Sequence, residues 1–201
     1  MTNGTKIGCG VGVAILVVII GAVLWGVGIY NNLVSLDEEV QQSWSQVENQ
    51  YQRRADLIPN LVNTVKGVAN FEKETYTTVT EARSKVNQIK LTSDMLNDPQ
   101  AFQKFQAAQD GLSSALSRLL VTVERYPELK ANENFLQLQA QLEGTENRIS
   151  VERRKFNQVV QKYNTKIRRF PDNFIAGIGG FREKQYFKSV EGASKPPKVQ
   201  F

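Results

Sequence analysis

The sequence predicts an all-α protein: a single N-terminal transmembrane helix continuing into a long helix, with an antiparallel three- to four-helix bundle. Three observations predict it. Ile7 to Tyr30 carries no charge. From Leu33 onward apolar residues recur in alternating steps of three and four, the spacing of a helix seam. No stretch of useful length alternates with period two, as a strand would.

The chain divides into a short tail (1–6), a membrane helix (7–30), a membrane-proximal stalk (31–58), a bundle (59–188) and a flexible tail (189–201). At ~1.5 Å per residue, the 24 residues from Ile7 to Tyr30 cover the ~30 Å hydrocarbon layer with some tilt. The run is too long for a signal peptide, and no small-x-small cleavage site closes it. Cys9 precedes the apolar run, so it does not fit a lipoprotein signal and reads as a packing residue. Gly4, Gly8 and Gly12 lie four apart and would let two such helices approach closely in lipid. Lys6 precedes the span and no Lys or Arg occurs from Asn31 to Gln52. The positive-inside rule then puts the N-terminus in the cytoplasm and the bundle on the outer side.

Beyond the span, Leu33, Leu36, Val40, Val47, Tyr51, Ile58, Leu61, Val65, Val68, Val79, Ala82, Val86 and Ile89 form one seam, interrupted at Ser43, Arg54, Glu72 and Thr75. It reads as a single helix of ~85 Å. "TSDMLNDPQ" stops it, and Asp98 as N-cap with Pro99 at the first helical position starts the next. That second helix carries Phe102, Phe105, Leu112, Leu116, Leu119, Val123 and Tyr126 and ends at Pro127. A third carries Phe135, Leu138, Leu142, Ile149, Phe156, Val159, Tyr163 and Ile167 before "FPDNF".

Pro59 falls inside the first seam, where a proline costs ~3 kcal/mol unless offset. It marks a kink or a boundary, and the helix lengths put the start of the bundle there. On that arithmetic Leu33, Leu36, Val40, Trp44, Val47 and Tyr51 make a stalk seam that no other helix of the chain covers. A second copy of the stalk is the simplest partner, and a stalk folded back onto the bundle is the other reading. Arg54 lies on the seam with Arg53 beside it, and the third helix offers Glu146 and Glu152. A buried arginine needs such a carboxylate. An arginine at the bundle edge can instead snorkel to water.

The segment Phe170 to Lys188 gathers Phe174, Ile175, Ile178, Phe181, Tyr186 and Phe187 around three glycines. It either caps the bundle or docks elsewhere. With the third helix running outward beside the first, it would emerge far from the membrane and meet a partner protein or an apposed bilayer.

The stretches "YNNLVSLDEEVQQSWSQVENQYQRRADLIPNLVNTVKG", "TEARS", "ERYPELKANENFLQLQAQLEGTENRI" and "YNTKIRRFP…GFREKQYF" resemble the LemA family over nearly the whole chain. The resemblance implies a membrane-anchored helical bundle without established catalytic activity. It places the family's recurrent positions on Trp44, Arg53, Arg54, Leu57 to Val62, Arg83, Tyr126, Pro127, Lys130, Tyr163, Asn164, Phe170 and Pro171. One branch of the family is associated with building magnetosome membranes, others with membrane metalloproteases and TPM-domain proteins. "EGASKPPKVQF" is not a family hallmark.

The composition argues against most chemistries. With no histidine and a single cysteine, neither a disulfide framework nor an ordinary zinc site is available. No paired carboxylates in a cleft, GxSxG, phosphate loop or HExxH occurs, and "AGIGG" lacks the strand that a nucleotide loop follows. No cofactor is implied, and no enzyme. From Met95 onward Lys and Arg number 17 against 11 Asp and Glu. That excess is spread out and lacks a stacking platform of strand type, which disfavours nucleic acid. The expected partners are membrane lipid, further copies of the chain and a membrane protein. Two functions fit: a scaffold that self-associates through Gly8, Gly12 and the stalk seam to organise or shape the membrane, and an adaptor that binds another membrane protein through its distal surface.

Overall fold

The computed structural model describes residues 3–68, 71–89 and 92–188; the side chains of residues 3–11 and Ser93 are not described. The expected tail at 189–201 lies outside the described residues, as do residues 1 and 2 of the N-terminal tail. Helix α1 spans Asn3–Lys66, α2 Lys73–Asn87, α3 Pro99–Val123, α4 Pro127–Lys130, α5 Glu133–Arg168 and α6 Asp172–Ile178, with a 3-10 turn at Ser93–Asn97. Among the described residues there is no strand.

The 64 residues of α1 make a rod of about 96 Å. Its N-terminal part is long and apolar enough to cross a membrane, with a mean hydropathy of 2.7 in its most apolar window. Val13 to Val27 expose their side chains there. The remainder of α1 is the axis of a four-helix bundle. α2 returns alongside it, α3 runs outward again, and α5 returns along its full length. Trp44 meets Phe102 at the start of α3, and Phe71 meets Tyr126 beyond its end. On α5, Glu146 bonds Arg54, Phe156 meets Trp44, and Lys162 reaches Glu39.

The first seam is therefore not one helix to Ile89. α1 ends at Lys66, and the Gly67 N–H closes the last turn on Asn63 and Thr64. Glu72 and Thr75, two of the seam's four interruptions, stand at the entry to α2. The apolar rhythm survives the turn because Val79 of α2 enters the same core as Val65. Reading through this turn reversed every later direction: the second long helix runs outward, and the third runs back to the apolar end of α1.

That reversal corrects three further expectations. The stalk seam is not left uncovered: Leu33, Leu36, Val40, Trp44, Val47 and Tyr51 are all at most 5% exposed in a single chain, beneath α5 and the first turns of α3. The bundle begins near Ile29, not at Pro59. And the segment from Phe170 emerges beside the apolar part of α1 instead of at the far end, with Ile175 against Gly26 and Phe181 against Tyr30.

The helix passes through Pro59 unbroken. A proline has no N–H, so the carbonyl four residues earlier, on Ala55, loses its helical donor. The Arg83 Nε–H of α2 donates to that carbonyl at 3.0 Å. The residue that removes a hydrogen bond within α1 thereby creates a docking point for α2.

The start of α3 follows the capping rule, with the Asp98 carboxylate accepting from the backbone N–H groups of Gln100 and Ala101 and Pro99 at the first helical position. Asn132 caps α5 by accepting from Phe135 N–H at 3.0 Å. The two caps fix where the outward and returning helices begin.

Candidate functional site

Two arrangements of polar residues stand out against a packed helical core. The first is a layer across the middle of the bundle. Arg54 is 1% exposed, and its guanidinium donates to Glu146 on α5, to the Gln109 side chain on α3, and to Ser113 Oγ at 2.7 Å. It also lies over the Tyr51 ring, 5.3 Å from the centroid. A buried guanidinium is tolerable because the pairing is charge-assisted and geometrically fixed. Below it Arg153 donates to the Tyr51 hydroxyl and pairs with Asp110 at 3.2 Å. Burial pushes the Tyr51 phenol up to about 12, with the Arg153 charge opposing the shift. This layer separates an apolar cluster built on Leu33 to Tyr51 from one built on Ile58 to Val65.

The second arrangement is an extended strap, residues 181–188, in the groove between α1, α3 and α5. Gly179 leaves room for the Phe181 ring, since a Cβ there would come within 2.7 Å of it, and Gly180 turns the chain at φ 73°. Side-chain amides then clasp the strap's backbone in reciprocal pairs. Asn164 donates to the Lys184 carbonyl and accepts from its N–H, both at 2.9 Å. Asn157 does the same for Phe187, and Gln106 for Lys188. Lys184, 6% exposed, pairs with Asp37 at 2.8 Å. Phe187 enters an aromatic nest of Trp44, Phe102 and Phe156. Burial, with Asp37 nearby, raises the Tyr163 phenol above its ordinary value.

The structure brings together Arg54 and Glu146 from the expected polar network, but not the other two members. Arg53 is exposed, and Glu152 pairs with Lys155 on its own helix at 2.7 Å. Gly12 faces open space, while the surroundings of Gly8 lie outside the described residues. The aromatic segment is split: Phe187 is core and Phe181 packs on Tyr30, whereas Phe174 and Ile178 are exposed and Tyr186 is half-exposed. Gln109, Asn157 and Lys184 were missed, and Arg83 and Asn164 were marked only as positions the family resemblance carries, with no role given to them. A carboxamide along a buried helix is the signal at Gln109, Asn157 and Asn164, and it names no partner.

Among the described residues no group of three His, Cys, Asp or Glu is placed to hold a metal ion. An opening of about 580 Å³ forms a groove between α5 and the strap, lined by Arg153, Arg154, Asn157, Gln158, Gln161 and Tyr186 among others. These groups can bind polar ligands or a protein surface through hydrogen bonds.

The model of the LemA family matches residues 43–201. Similar proteins include Magnetosome protein MamQ 2 of Paramagnetospirillum magneticum, 27% identical over 183 residues that cover 83% of this chain and 67% of that protein. Magnetosome protein MamQ of Magnetospirillum gryphiswaldense has the same identity and coverage. Protein LemA of Metamycoplasma hominis is 28% identical over 150 residues, covering 75% of this chain and 64% of its own. None of these names denotes an enzymatic activity.

Proposed function

The chain belongs to the LemA family, and we propose that it serves as a non-enzymatic, membrane-anchored helical scaffold. The observation that carries this reading is α1 itself, one uninterrupted helix whose apolar end is long enough to span a bilayer and whose remainder is the axis of the bundle. A body built on such an axis cannot swing freely on a linker. It transmits the position and tilt of its membrane helix to everything attached to its surface, as a scaffold that organises or shapes a membrane must. The membrane helix crosses once, with the N-terminus cytoplasmic and the bundle on the outer side.

With the stalk seam used inside each chain, copies assemble through the membrane helix, where Gly12 and the apolar side chains around it are unpartnered within the chain. The mass of full-length protein in mild detergent tests this. More than one chain per particle, falling to one on Gly12→Leu, is the expected result. A monomer before any mutation would overturn the self-associating scaffold. It would favour the second reading, an adaptor for another membrane protein, whose supporting observation is the open polar groove beside α5.

A further inference from the structure

Helix α6 lies level with the apolar part of α1. Ile175 reaches to 3.6 Å from where a Cβ on Gly26 would stand, and shares a shallow apolar surface with Ile19, Ala22, Val23, Val27 and Tyr30. Next to it Phe170, Phe174 and Ile178 are 73%, 64% and 87% exposed. Phe174 and Ile178 stand four residues apart on one face of α6, and Phe170 joins them from the turn before it. The Phe170 and Phe174 rings meet edge to face at 5.9 Å. Of the two polar side chains of α6, Asp172 is turned away from that stripe, 6% exposed and held by Lys166 at 2.9 Å, while Asn173 is exposed. Arg168, Arg169 and Arg182 are exposed on the flanking segments.

An apolar stripe of this kind would be costly in water, and its neighbours name its solvent. α1 exposes Ile19, Ile20, Val23, Leu24, Trp25 and Val27 by 50% to 67%, and the two apolar surfaces are continuous through Ile175. We propose that α6 is an interfacial foot: Phe170, Phe174 and Ile178 sink into the leaflet that α1 leaves on the bundle side. The flanking arginines meet anionic headgroups, in the manner of helices that lie in the interface plane. The bundle then stands on its own bilayer at two points, the span and the foot, which fixes its rotation about α1 as well as its height. This rests on the reading that α1 spans the membrane.

The test is the immersion depth of spin labels on full-length Cys9→Ser protein in vesicles of phosphatidylcholine with a minority of phosphatidylglycerol. Depth is read from relative collision with oxygen and with a water-soluble nickel chelate. Labels are carried singly by Val17→Cys, Ile178→Cys and Val151→Cys; the last is 43% exposed on α5, away from the apolar end. The proposal expects the label at position 178 to collide preferentially with oxygen, several-fold more than the label at 151. An oxygen preference at 17 with none at 178 overturns the foot and leaves the anchor standing. No preference at 17 overturns the anchor and the foot together. Protection at 178 from both reagents means protein covers the stripe, which also overturns the foot.

Discussion

The two halves of the bundle core share one seam on α1 yet are built differently. The membrane-side half is rich in aromatics: Trp44, Tyr51, Phe102, Phe105, Phe156 and Phe187 interlock around the strap. The distal half is mostly aliphatic, with Ile58, Leu61, Val65, Leu112, Leu119 and Leu142 closed by α2, α3 and α5. Between them lies the Arg54 layer. Large rings can fill a groove lined by α5, the first turns of α3, the 3-10 turn and an extended strap, whereas four full helices need smaller side chains to approach one another. The seam on α1 shows that a face is buried, while the residue sizes along it show how many helices do the burying.

If this contrast is right, the halves respond differently to truncation of comparable core residues. Trp44→Ala should cost about 4 kcal/mol, the range for emptying a large aromatic site. Its loss of hydrogen-exchange protection should be concentrated in α5 beyond Arg153 and in residues 181–188. Leu61→Ala should cost about 3 kcal/mol and loosen α2 instead. Equal loss of protection in both halves from either change would erase the distinction.

The layer that joins the halves comes next. Arg54→Ala strands Glu146 and Gln109 and should cost about 3 kcal/mol, the low end for a broken buried pair because the Glu146 side chain is 38% exposed. An unchanged melting temperature would show that the layer holds nothing together.

Alkali probes the same layer from its membrane side. The Tyr51 phenol rises from its ordinary value of 10.0 to about 12 on folding, so the folded chain binds this proton more tightly than the unfolded one. The associated stability is complete below about pH 10 and is lost as pH rises to about 12, a change of about 3 kcal/mol. Urea midpoints across that window should fall more steeply in the parent protein than in Tyr51→Phe, which lacks the titrating group. Tyr163, also raised, adds a slope of the same sign to both proteins.

The smallest effect concerns how α2 is held to the distal half. Arg83→Ala should cost about 1 kcal/mol where Pro59 leaves the Ala55 carbonyl without a helical donor. The cost should shrink when Pro59→Ala restores that donor. A double-mutant cycle with no coupling would detach the arginine from the proline.

The helical class, the caps at Asp98 and the apolar run were legible because each depends on neighbours in sequence. So was the membership of the core: the seam residues are buried or, as at Val68, Val86, Leu138 and Val159, partly buried against it. What was not legible was direction. Gly67 gave a weak stop signal while the apolar rhythm continued into α2, because the turn returns the chain to the same core. One missed reversal left the stalk seam without a cover and put the aromatic segment at the wrong end. The Arg54–Glu146 pair survived that error because it depends only on both residues sitting near the middle of the bundle, whichever way α5 runs. The roles of Asn157 and Asn164 were illegible for another reason: both serve an extended strap, and nothing in the periodicity of α5 announces one.

The central claim is that the membrane-proximal half of α1 is covered by α5 of the same chain. Glu39 on α1 and Lys162 on α5 meet at 3.0 Å on the bundle surface, and both side chains are exposed enough to accept a reagent. In full-length Cys9→Ser protein carrying Glu39→Cys and Lys162→Cys, a short bis-maleimide should bridge the two positions within one chain. Mass spectrometry would then find both cysteines joined at the monomer mass, at a yield independent of protein concentration. Bridges found between chains, at twice that mass, would mean that a second copy covers the seam, and would contradict the account.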